Sequence, residues 1–199
     1  MFLRTESVTE YARMYPAVSF LAMLQLIFFI IMQFPIIPHT LLFQALSAVN
    51  LQISEGEYWR LFTSIFVHVS LSHVLLNTCS LTIIGPLLEK ACGKLGFLLL
   101  YIGLGITANL TTLAIEPLYY SHAGASGSVF GLLGVCLAFS ITGRTAFPVL
   151  DRRLVIPLIA AALLTAFIQP NINQSAHIGG LGAGYLTGIA LLKLRKHFN

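Results

Sequence analysis

Six long apolar runs, separated by short polar or basic segments, constrain this chain more than any other feature of its sequence. They lie at roughly 17–34, 69–88, 95–115, 126–142, 154–168 and 178–192. The hydrocarbon core of a bilayer takes about 20 apolar residues per helical span, so runs of this kind read as membrane spans. Only 9% of the residues are charged and 57% are apolar. An ordinary soluble domain carries about 25% charged residues. A soluble enzyme, a disordered chain and a collagen-like fibre are excluded at this step. The expected fold class is an all-α membrane protein, a six-transmembrane-helix bundle forming a single domain over residues 1–199, with no room for a sizeable soluble domain.

The first run exceeds the 7–15 residues or so of a signal-peptide core, and further runs follow it, so it reads as a retained span. Lys and Arg sort between the two sides. Arg4, Arg13, Lys90, Lys94, Arg144, Arg152, Arg153, Lys193, Arg195 and Lys196 fall on one side, and Arg60 alone on the other. By the positive-inside rule both termini are cytoplasmic, which requires an even number of spans. The net charge of +4 therefore reads as orientation signals between spans, and no nucleic-acid partner is expected. Cys79, Cys92 and Cys136 form no CxxC pair and sit in or at the ends of apolar runs. They read as small packing residues rather than disulfide or zinc ligands.

Polar groups inside a span cost about 2.5–3.5 kcal/mol when charged, so they mark function more often than in a soluble core. Several converge on the outer side. His68, His73 and Asn77 open the second span; His73 and Asn77, four apart, share one helical face. Such residues also join spans by hydrogen bonds. Gly124-Ala125-Ser126-Gly127 heads the fourth span. A Ser there could serve as an N-cap. The helix N-terminus also offers unpaired N–H groups to a developing oxyanion. Ala176-His177 opens the sixth span, followed by Gly180, Gly184 and Gly188. Gly127, Gly131, Gly134 and Ala138 share a face of the fourth. Two such small-residue stripes let helices approach closely. Ser126 and His177 then come to similar depth, where a Ser–His hydrogen bond is geometrically possible. No acidic residue falls mid-span near His177, so a dyad is simpler than a triad. No HExxH motif is present, and no carboxylate pair of the kind an intramembrane aspartyl protease needs.

These pieces resemble the rhomboid family of intramembrane serine proteases. The matching residues are Trp59-Arg60, the His68, His73 and Asn77 spacing, Glu89 with Gly93, the Gly124-Ala-Ser126-Gly127 signature, and Ala176-His177 with its glycines. The resemblance implies that Ser126 is the nucleophile and His177 the general base. It implies that His73, Asn77 and the Ser126 N–H hold the oxyanion. Gly124 would keep the nucleophile's loop compact, His68 would support the outer loop network, and Trp59-Arg60 would anchor the first loop. Where relatives often carry Tyr four residues after the nucleophile, this chain has Phe130, which keeps the ring face and loses the hydroxyl.

The implied partners are single-span membrane-protein substrates and the lipid bilayer, with no metal or organic cofactor and no oligomeric state indicated. The absence of a long soluble extension fits a compact bacterial member in the inner, or plasma, membrane. The short fourth span and the polar stretch Asn171 to Ser175 suit a wet, shallow site beneath a mobile cap. Two readings from other classes remain: a catalytically inactive rhomboid-like client-binding protein, whose relatives typically lack the Ser or the His, and a histidine-dependent transporter, which calls for inverted repeats. Haem ligation by His73 and His177 would want a second facing His pair.

Overall fold

The computed structural model describes residues 6–34, 39–141, 152–168 and 172–197. Among them the chain forms helices α1 (Val8–Met14), α2 (Pro16–Met32), α3 (His39–Leu46), α4 (Asn50–Ser54), α5 (Arg60–Thr63), α6 (Leu71–Ile115), α7 (Ser126–Ile141), α8 (Arg152–Ile168) and α9 (Gln174–His197). Two short strands, β1 (Ala48–Val49) and β2 (Ser121–His122), pair antiparallel with Ala48 opposite His122. Among the described residues two helices, α6 and α9 over Gln174–Leu194, are long and apolar enough to cross a membrane; α1 with α2, bent by 116°, makes a third if taken as one broken span.

The run at 95–115 and all but the first two residues of the run at 69–88 fall within α6. At about 1.5 Å per residue a straight helix of its 45 residues would be roughly 67 Å long, twice a bilayer core. It is not straight. Gly93 adopts φ 72°, ψ 171°, a backbone region that glycine tolerates and other residues avoid. Past it the chain folds back: a Cβ on Gly85 would lie 3.2 Å from the Phe97 ring, whereas twelve residues of unbroken helix would separate them by about 18 Å. At the opposite end the Ser64 hydroxyl accepts from Asn109 and its carbonyl from the Gly124 N–H. Gly124 in turn abuts His73. Residues 73 and 109 thus share one end, and α6 is a hairpin of two limbs.

Polar contacts, part-buried at Tyr11 and buried at Glu89, join α1 and α2 to the first limb. Pro86 lacks the N–H that would bond the Thr82 carbonyl, and the Tyr11 hydroxyl fills that vacancy at 2.9 Å. The Glu89 carboxylate accepts from the N–H groups of Ala17 and Val18 at 3.0 and 2.9 Å. These are orphan donors at the positive end of α2, just past Pro16. Ser7 and Glu10 form a capping box that starts α1, a helix the apolar runs did not indicate.

The core centres on α7, buried on nearly every side. Its 16 residues span about 24 Å, less than a bilayer core. The small-residue stripes of α7 and α9 face each other. A Cβ on Gly180 would overlap the Gly127 carbonyl, and one on Gly184 the Gly131 carbonyl, so the two backbones touch. The helix α8 meets the bundle through buried Ile159.

Candidate active site

The segment leading to Ser126 is held from several directions. Strand pairing fixes Ser121 and His122. The His122 ring nitrogen Nε2 lies 3.1 Å from Asn109 Oδ1. The Asn109 amide donates to the Leu61 carbonyl at 2.8 Å and to the Ser64 hydroxyl at 2.9 Å. The Ser64 carbonyl accepts from Gly124 N–H at 2.8 Å. Gly124 has φ 127°, and a Cβ there would strike the His73 ring, so this position requires glycine both by conformation and by space.

His68 completes the support. The Ala125 N–H donates to its Nε2 at 3.4 Å, so the ring proton sits on Nδ1, 3.3 Å from the Phe66 carbonyl. Burial, with His73 nearby, pushes its pKa down to about 3, against the Phe66 carbonyl, which favours the charged form. His68 and His73 meet edge to face at 5.0 Å between ring centres. Burial likewise lowers His122 to about 4.

Ser126 does not act as an N-cap. The Ala125 carbonyl accepts from Val129 N–H, placing Ser126 inside the first turn of α7, where its own N–H has no intrahelical acceptor. Its Oγ lies 2.8 Å from Nε2 of His177 on α9, within hydrogen-bond distance. The other ring nitrogen, Nδ1, is buried and has no partner among the described residues. Phe130, one turn below Ser126, stacks on the His177 ring at 4.1 Å and 15°. Asn77 is buried one turn below His73, with its amide donating to the His73 carbonyl at 3.0 Å. No group of three or more His, Cys, Asp or Glu side chains suited to a metal occurs among the described residues.

Arg60, buried, ties the first loop together. It donates to the carbonyls of Gln44 and Ser47 at 2.5 and 2.7 Å and to Glu57 at 2.6 Å, while Trp59 beside it is exposed. In the polar stretch before the last helix, Asn173 bonds Thr112, and Ser175 donates to Glu116. Asn171 lies outside the described residues. Asn109, Thr112 and His122 stand outside the sequence motifs, and Asn173 figures there only within the polar stretch 171–175. A lone Asn within the third apolar run was the available signal.

Comparison with known proteins points to one family. The Rhomboid domain profile matches residues 55–194. The chain is 39% identical over 196 residues to the putative rhomboid protease YdcA of Bacillus subtilis, covering 98% of each protein. It is 37% identical to the rhomboid protease GluP of the same organism, over 71% of this chain and 28% of that one. RHOMBOID-like protein 1 of Arabidopsis thaliana is 36% identical over 72% of this chain and 37% of its own length. The chain belongs to the rhomboid family.

Proposed function

We propose that the chain is an intramembrane serine endopeptidase that cleaves single-span membrane proteins with a Ser126–His177 dyad. In this reading it crosses a bacterial plasma membrane six times with both termini in the cytoplasm. The α6 hairpin and the sorting of Lys and Arg support that count. The observation that carries the chemistry is the 2.8 Å contact between Ser126 Oγ and His177 Nε2.

A substrate helix must unwind locally to expose a peptide carbonyl. The Ser126 oxygen attacks it, and its proton passes to His177 Nε2. The resulting imidazolium has no carboxylate partner among the described residues; the stacked Phe130 face supplies a cation–π contact instead. The tetrahedral oxyanion is received by the Ser126 N–H at the positive end of α7, with His73 and Asn77 as side-chain donors. The proton on Nε2 then goes to the leaving amine, and water delivered from the outer side hydrolyses the acyl-enzyme by the same route reversed.

The test is reconstitution of the pure protein in lipid with a panel of single-span substrates, the cuts being mapped by mass spectrometry. Cleavage within or beside the substrate span is expected, lost in Ser126→Ala and in His177→Ala. Undiminished cleavage by purified Ser126→Ala would refute the nucleophile assignment.

A further inference from the structure

We infer that Asn173 is a positioning residue for His177, a role that rests on the dyad reading above. Asn173 precedes α9 and caps it. The Ala176 N–H donates to its Oδ1 at 2.9 Å, and the His177 N–H donates to its carbonyl at 3.3 Å. A cap fixes where a helix begins and how its first turn is rotated. His177 sits in that first turn, so Asn173 sets the direction in which the imidazole leaves the backbone.

The same side chain also joins α9 to α6. Its Nδ2 donates to Thr112 Oγ1 at 2.9 Å, and the Thr112 hydroxyl can donate to the Ala108 carbonyl at 3.2 Å. Thr112 is fully buried on the second limb of α6. Ala108, one turn below, touches the position of the missing Gly127 Cβ at 2.5 Å. The helix of the base and the helix of the nucleophile are therefore both registered against 108–112. Ser175, donating to Glu116, adds a second tie between the same elements. A shift of about 1 Å in such a pair can cost on the order of a hundredfold in rate, which makes this registration a kinetic matter as well as one of folding.

The experiment compares the full-length wild type with Asn173→Ala, Asn173→Asp and Thr112→Val in lipid, with kcat and KM measured separately on one cleaved substrate. Asn173→Ala is expected to lower kcat by about tenfold to a hundredfold with KM unchanged. Asn173→Asp keeps an oxygen for the Ala176 N–H and for the Thr112 hydroxyl, so it restores most of the rate. Thr112→Val, which leaves the cap intact, is expected to show a smaller fall confined to kcat, and it carries the test if Asn173→Ala does not fold. An unchanged kcat in Asn173→Ala, a loss expressed only in KM, or an Asp variant no better than Ala would overturn the inference. His177→Ala separates the two levels: full activity there sinks the dyad itself, whereas an inactive His177→Ala beside an unimpaired Asn173→Ala sinks the positioning role alone.

Discussion

Gly180 of α9 rests directly on the Gly127 carbonyl of α7, with no room for even a methyl group between them. The contact lies one residue past Ser126 on one helix and three past His177 on the other. It sets the separation at which hydroxyl and imidazole meet. Gly180→Ala would force backbone against backbone, an overpacking cost of about 1–3 kcal/mol. The expected outcome is a lowered melting temperature together with slower labelling of the serine by a fluorophosphonate. Gly182→Ala, where a Cβ meets nothing within 4 Å, serves as the control and should behave as wild type.

Phe130 tests the stacked face. The ring lies nearly parallel to His177, and a cation–π contact is worth about 0.5–2 kcal/mol. Phe130→Leu should lower kcat accordingly, by up to about thirtyfold. Phe130→Tyr keeps the face and should cleave close to the wild-type rate. Steady-state kinetics on one substrate decides both.

Asn77 tests the oxyanion assignment. Removing one such donor costs about 2.7–4 kcal/mol of barrier. Asn77→Ala should therefore reduce kcat by about two to three orders of magnitude while KM moves little. An effect confined to substrate binding would count against the role.

Acid should weaken the fold through His68 and His122. Both are neutral when folded, with pKa values pushed to about 3 and about 4 by burial. Unfolded, each titrates near 6.5. Below about pH 6.5 the unfolded chain binds more protons, so stability is complete above that pH and falls as the pH drops towards 4, by up to about 1.4 kcal/mol per unit for each histidine. Thermal melts from pH 7.5 to 5 should show the decline. His68→Gln, which can still accept from the Ala125 N–H, should make it shallower, leaving the share of His122.

Much of this site was legible because it is written in local signals. The apolar runs, the glycine stripes, the Ser126 tetrapeptide and the His73–Asn77 spacing each depend on residues a few positions apart. What escaped was long-range. Tyr11 bonding the carbonyl freed by Pro86 joins residues 71 apart, and Asn173 meeting Thr112 joins residues 61 apart. Neither pairing has a periodicity to reveal it. The first loop escaped for another reason: α3, α4 and α5 are too short to show an apolar face, and carbonyl bonds from Arg60 and Asn50 organise them.

The most direct measurement is the location of a covalent adduct. Purified protein in lipid is treated with a fluorophosphonate, digested and sequenced by mass spectrometry. A Ser126–His177 dyad predicts a single modified residue, Ser126, with no modification of His177→Ala under the same conditions. An adduct on another serine, or equal labelling of Ser126 when His177 is gone, would contradict it.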